Sequence, residues 1–173
     1  ARKADRVPLF PEAPVTATSS TGDKIALFRR LFAGREDVFP LRWDNCKTGR
    51  GGYPPACRNE WKRGLCGKPQ IKCSECAHQA FLPVTDDVID RHLRGGASSR
   101  SDAADYVAGV YPLLADESCR FLAADFDKAS WAEDALAMME TCRLRGVPAA
   151  LERSRSGNGG HVWIFFADAV AAR

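Results

Sequence analysis

The sequence predicts an α/β domain of the α+β kind: a βαββ unit on one sheet, with a cysteine-rich insertion ahead of it. Three observations predict this. Strand-length apolar runs flank one helical stretch across residues 106–166. Five of the seven cysteines fall between Cys46 and Cys76. Residues 44–80, which hold those five, are rich in Gly and Pro and show no apolar period. A stretch of that length without regular structure needs something else to hold it.

The elements follow in order. Residues 1–21 carry Pro8, Pro11, Pro14 and a Thr/Ser run from Thr16 to Thr21, which reads as a flexible lead-in. Residues 22–43 open the main module. Ile25, Leu27, Phe28, Leu31 and Phe32 have helical spacing, Gly34 ends that helix, and Val38 to Trp43 reads as a short strand. After the insertion at 44–80, residues 81–84 lead into a helix capped by Thr85, with Val88, Ile89, His92 and Leu93 on its buried face. Residues 94–104 read as a loop. Tyr106 to Leu114 and Arg120 to Phe126 read as strands. Ser130-Trp131-Ala132-Glu133 has the form of a capping box, and the helix it opens turns Leu136, Met139 and Cys142 to one face before Gly146 and Pro148 stop it. Ala149 to Glu152, a Gly-rich turn, and His161 to Phe166 complete the βαββ unit within residues 81–173. The chain opens on Ala1 and stops just after a core strand, so a longer protein, truncated at this unit's C-terminal end, is expected.

At 45% hydrophobic and 27% charged over 173 residues, the composition is that of a globular protein rather than a disordered one. The longest apolar run, Val162 to Ala167, is far short of the ~20 residues of a membrane helix. No charged start followed by an apolar stretch marks a signal peptide. A cytoplasmic protein without a membrane partner is expected. Net charge is +3, unevenly spread. Between Arg42 and Lys72, eight Lys or Arg residues face only Asp44 and Glu60, a local charge of +6. Arg50, Arg58, Lys62, Arg63, Lys68 and Lys72 are therefore candidate nucleic-acid contacts. A solvated basic surface is the plainer alternative.

Clustered cysteines without a secretory signal favour a metal over disulfides. Cys57, Cys66, Cys73 and Cys76 supply four thiolates within twenty residues, the tetrahedral set that suits structural Zn²⁺. Cys46 and His78 are spare ligands. The alternative is reduced cysteines without metal. Such a site would hold the basic residues in place, with Trp61 and Tyr53 among them either stacking on bases or forming a miniature core.

Arg120-Phe121-Leu122-Ala123-Ala124-Asp125-Phe126-Asp127 is an apolar strand ending in two acids. Alternation sends both carboxylates to one side, where a divalent cation relieves their repulsion. Mg²⁺ or Mn²⁺ there would support phosphoryl-group chemistry. In the plainer reading Asp127 favours the next helix N-terminus and Asp125 is an ordinary strand-end acid. The turn Ser154-Arg155-Ser156-Gly157-Asn158-Gly159-Gly160, followed by His161, offers backbone N–H groups, hydroxyls and charge to an anion such as a triphosphate, or else is a polar hairpin loop. If its strands adjoin the acids' strand, metal and turn share one triphosphate.

Ala124-Asp125-Phe126-Asp127 and Ser154 to Trp163 resemble the first two motifs of the archaeo-eukaryotic primase superfamily, and most resemble the primase domain of TOTE conflict systems, bacterial primase–helicase–nuclease proteins associated with mobile elements. Tyr53 to Trp61 and Lys72 to Cys76 add to a resemblance that covers about residues 28–170. It implies a partial primase-type catalytic core with an RRM-like βαββ unit. It implies a template-dependent nucleotidyltransferase in the bacterial cytoplasm, acting on DNA or RNA template and nucleoside triphosphates, with helicase and nuclease domains on the full-length chain. Asp125 and Asp127 would bind the divalent metal and His161 the incoming phosphates. The superfamily often has serine where this chain has Gly159, so Ser154, Ser156 or backbone N–H groups would take that role. The family's third acid lies on a later strand. Asp168, directly after the His161 strand, is a poor match, and without a third acid the chain alone is expected to be inactive. Two other functions fit the residues: a non-catalytic, zinc-dependent nucleic-acid-binding module, and a metal-dependent nuclease, for which a triphosphate-binding turn would be superfluous.

Overall fold

The computed structural model describes residues 14–95 and 105–173. The fold is α+β, with three helices and two sheets among the described residues. Most of the lead-in and of the 94–104 loop lies outside them. Helix α1 (Thr21–Leu31) begins four residues before Ile25, the first position of its apolar spacing. The cause is Ser20, whose hydroxyl accepts from the Asp23 N–H at 3.1 Å and donates to Asp23 Oδ2 at 2.6 Å. A cap of this kind is worth about 1 kcal/mol. Helix α2 (Asp86–Arg94) starts as expected, with Thr85 Oγ1 accepting from the Val88 N–H. It buries Ile89 and packs on α1 through the Phe28 and His92 rings, 5.4 Å apart. Leu93 faces solvent instead of the core.

Two expected strands are not regular strands. Val38–Trp43 and Tyr106–Leu114 meet at one isolated bridge, Leu41 with Ala108, through the Arg42 N–H to Val107 carbonyl and Gly109 N–H to Pro40 carbonyl bonds, while Pro40 also bridges Pro55. Pro40, Pro54, Pro55 and Pro112 remove donors that a continuous ladder needs. These segments still form a core, in which Phe39, Leu41, Ala56 and Tyr106 are buried against Leu82, Val84, Val88 and Ala108. Residues 44–80 are also not uniformly irregular. Trp43–Asn45 (β1) and Arg50–Gly52 (β2) form an antiparallel hairpin. The cysteine loop then leaves the core at Cys57, which bridges Phe81, while the Leu82 N–H bonds the Ala56 carbonyl.

The main sheet contains β3 (Ser118–Phe126), β4 (Ala150–Arg153) and β5 (Gly160–Ala171), in the order β3-β5-β4. Both neighbours run antiparallel to β5. Helix α3 (Trp131–Leu144) joins β3 to β4, so chain order is strand, helix, strand, strand on one sheet. The capping box does not form: Ser130 Oγ donates to Asp134 Oδ2 at 2.6 Å rather than accepting from Glu133. Asp134 lies one helical position further and takes the hydroxyl. Helix α3 buries Ala135 and Cys142, whereas Leu136 is exposed. On the other sheet face Phe32, at the end of α1, sits edge-on to Phe121, Trp163 and Phe165 at 5.1 to 5.8 Å between centroids. Aromatic pairs in this arrangement add about 0.5–1.5 kcal/mol each beyond burial. They lock α1 against the half of the sheet next to the acids.

Candidate functional site

The two sequence motifs meet at one end of the sheet. Strand β3 runs toward its C-terminal acids while β5 starts beside them, so Asp125 pairs with His161 and Phe126 with Gly160. Directly opposite residues share a face. His161 Nε2 lies 3.6 Å from Asp125 Oδ1, an ion-pair separation beyond hydrogen-bond length. Asp127 falls one residue past the end of β3, 3.7 Å from Lys128 Nζ. Both acids are open to solvent, with about 69% of each side chain accessible. Neither is turned inward, which keeps both available to an ion.

The β4–β5 turn is rigidly built. The Ser154 N–H donates to the Gly159 carbonyl at 2.9 Å, and the Gly157 N–H donates to the Ser154 carbonyl at 2.9 Å. The Ser154 and Ser156 hydroxyls are 3.1 Å apart, and Ser156 Oγ accepts from the Asn158 N–H. Arg153 donates twice to the Gly157 carbonyl, and so braces the turn rather than reaching outward. Gly157 has φ +77°, the left-handed region where glycine carries no penalty. Gly159 is held more tightly still: a Cβ there would lie 2.7 Å from the Phe126 carbonyl oxygen and 3.6 Å from Asp127 Cα. This close approach accounts for glycine where the wider superfamily often has serine. At Gly160 a Cβ would press on the Trp131 ring at 3.0 Å, pinning the start of α3 to the turn. Arg155 is paired with Asp105 at 2.8 Å between exposed side chains. A bound anion must compete with that carboxylate.

Sequence reasoning missed Glu152. It pairs with His161 from the other side, on β4. Its Oε2 is 3.4 Å from His161 Nδ1 and accepts from the Trp163 indole N–H at 2.8 Å. Counting antiparallel pairs outward from a six-residue turn would have placed it. Asp168 stands within β5, not after it, because β5 continues to Ala171 through an irregularity that lets Cys119 pair with Val170. It stands seven residues along β5 from His161, inside that irregular stretch. Burial pushes the His92 imidazole below its ordinary 6.5, opposed by the nearby Glu152 carboxylate.

In the second region, Cys57, Cys66, Cys73 and Cys76 line one small cavity of about 20 Å³, together with His78. Cys46 lies apart in the β1–β2 turn. Cys73–Glu75 form a 3-10 turn that returns the Cys76 N–H to the Cys73 carbonyl. Cys76 Sγ accepts from the His78 N–H at 3.4 Å. Among the described residues, no three His, Cys, Asp or Glu side chains already stand grouped tightly enough to hold an ion. The four cysteines thus line one cavity without their sulfurs converging on a single point. Arg50, Arg58, Lys62, Arg63 and Lys72 are exposed, as is Trp61, with φ +59° and 68% of its surface accessible. Lys68 differs: it is half-buried, 2.7 Å from Glu60, with its ammonium 5.8 Å from the Trp61 ring centroid. No described helix is long and apolar enough to cross a membrane.

A family model described as "TOTE conflict system, Archaeo-Eukaryotic Primase domain" matches residues 23–173. Among curated proteins and among solved structures, nothing matches the chain.

Proposed function

The chain belongs to the archaeo-eukaryotic primase family of TOTE conflict systems, and from that premise we propose that it is a template-dependent nucleotidyltransferase domain joining nucleoside triphosphates. The observation that carries the reading is the register placing Asp125 opposite His161, with Gly159 packed onto the Phe126 carbonyl. It supports one compact site for metal and phosphate at the end of an RRM-like βαββ unit. Asp125 and Asp127 would hold Mg²⁺ or Mn²⁺, for which two exposed carboxylates form a hard-oxygen donor set. That ion, when bound, supplies charge neutralisation on the phosphates and activation of the attacking oxygen. His161, the hydroxyls of Ser154 and Ser156, and the backbone of the Gly157–Gly160 turn would orient the triphosphate, with the Gly157 and Asn158 N–H groups spent on bonds within the turn itself. Arg155 would join them by leaving Asp105. Chemistry of this kind is chiefly positioning and charge stabilisation.

Four cysteines lining one cavity are a donor set of the kind that suits a structural Zn²⁺ ion, once their sulfurs draw together around it. The loop so held would present Arg58, Lys62, Arg63 and Lys72, with Arg50 on the hairpin, to a DNA or RNA template. Lys68 would serve the loop by pairing with Glu60. Helicase and nuclease domains would share the full-length chain, in the bacterial cytoplasm.

The test is incorporation of labelled nucleotide on a primed template by the longest form of the protein that carries this domain. Asp125→Ala with Asp127→Ala should abolish incorporation and leave template binding intact. Incorporation that survives the double substitution overturns the enzymatic reading in favour of a binding module. Hydrolysis of the template without incorporation would favour a nuclease.

A further inference from the structure

We infer that Ala123 and the indole of Trp163 form the seat for the nucleoside half of the bound nucleotide, and that the small side chain at position 123 is what admits it. The inference rests on the reading of Asp125, Asp127 and His161 as a metal–triphosphate site, and names where the rest of that ligand lies.

Alternation along β3 puts Phe121, Ala123 and Asp125 on one face of the sheet. The register sets Ala123 opposite Trp163 and Asp125 opposite His161. On β4, Ala150 pairs with Trp163 and Glu152 with His161. That face therefore carries two consecutive rows. Asp125, His161 and Glu152 stand at the strand ends, and Ala123, Trp163 and Ala150 stand next to them. One row further in, Phe121 and Phe165 lie under Phe32, whose ring also meets Trp163 at 5.1 Å between centroids. Phe32 thus forms an inner wall, and the exposed Ala123 methyl lies in front of it, beside the acids.

The Gly-rich turn lies beyond the strand ends. Phosphates running from that turn to a cation on Asp125 bring the nucleoside, continued in the same direction, onto the row of Ala123 and Trp163. Both flanks of the indole are open, because Ala123 and Ala150 are each exposed. The two flanks differ in charge. The β4 flank adjoins Glu152, whose carboxylate accepts from the Trp163 indole N–H at 2.8 Å and repels phosphate. The β3 flank adjoins Asp125, whose charge the cation would offset. The nucleoside therefore belongs on the β3 flank. Trp163 is a fixed surface for it, held by Phe32 edge-on and by Glu152. A methyl and an indole hold a sugar or base by contact and apolar burial rather than by hydrogen bonds. The seat selects by size, and takes purine and pyrimidine nucleosides alike.

The test measures binding of a nucleoside triphosphate and of inorganic tripolyphosphate to the whole chain by calorimetry with Mn²⁺ present. Ala123→Leu fills the seat at an exposed position on an edge strand. It should weaken binding of the nucleotide about tenfold and leave tripolyphosphate binding unchanged. Ala150→Leu, on the far side of the indole, should leave both unchanged. Nucleotide affinity in Ala123→Leu equal to wild type, a parallel loss of both ligands, or a loss confined to Ala150→Leu overturns the inference. Wild type that binds tripolyphosphate but no nucleotide overturns the seat while the metal–phosphate reading stands. Wild type that binds neither ligand removes that reading, and the seat with it.

Discussion

The Cβ position of Gly159 falls 2.7 Å from the carbonyl oxygen of Phe126. Real Cβ atoms do not come this close to an oxygen, so the turn can lie on the end of β3 only because residue 159 lacks a side chain. Gly159→Ala must push the turn off the acid-bearing strand. Overpacking of this kind costs about 1–3 kcal/mol. Chemical denaturation should show that loss, and triphosphate affinity should fall with it. Gly159→Ser should be no better, even though serine is common there in the wider superfamily. Wild-type stability in Gly159→Ala would mean that the turn and β3 are not packed as described.

Metal content checks the cysteine loop. The chain should carry about one zinc ion, as four thiolates close a tetrahedral site. Cys73→Ser with Cys76→Ser should release it and expose residues 58–80 to protease. The base of the loop is tied by the Cys57–Phe81 bridge and the Leu82 N–H to Ala56 carbonyl bond, so the main sheet should keep its circular dichroism. Zinc-free protein with an equally resistant loop would count against a metal.

Template contact should be electrostatic, with a stacking contribution. Lys62→Ala with Arg63→Ala should weaken binding to single-stranded nucleic acid regardless of sequence and lower the salt slope by about 1 for each lost phosphate contact. The Trp61 indole is 68% exposed and should be quenched on binding; Trp61→Ala should cost about 1–3 kcal/mol. An unchanged salt slope would place the nucleic-acid surface elsewhere.

His92 ties stability to pH. Its folded pKa lies below 6.5 because the ring is buried. Below about pH 6.5 the unfolded chain takes up a proton that the folded chain refuses, so the unfolded state binds more protons and stability falls as pH drops toward the folded value. The urea midpoint should decline over that window. His92→Phe, which retains a ring beside Phe28, should flatten the decline. Parallel curves for the two proteins would assign the effect to other groups.

Much of this site is legible in the chain itself. Strands β3 and β5 and helix α3 announce themselves by apolar run and period, and a short Gly-rich turn between β4 and β5 forces an antiparallel pair. Thr85 is legible as a cap, and its hydroxyl does accept from the Val88 N–H. Ser130 misleads because Asp134 captures it. Tyr106 to Leu114 reads as a strand by composition, yet Pro40, Pro54 and Pro112 leave too few donors for a ladder. The role of Glu152 requires register: its partners are nine and eleven residues away in sequence, and nothing in its local pattern sets it apart from a strand-edge acid.

The central claim is that Asp125, Asp127 and His161 grip one metal–triphosphate unit. Titration of a nucleoside triphosphate into the chain with and without Mn²⁺ tests it most directly. Binding should require the ion and weaken at least tenfold both in Asp125→Ala with Asp127→Ala and in His161→Ala, a loss of about 1.4 kcal/mol or more. Affinity that ignores Mn²⁺ and all three substitutions would contradict it.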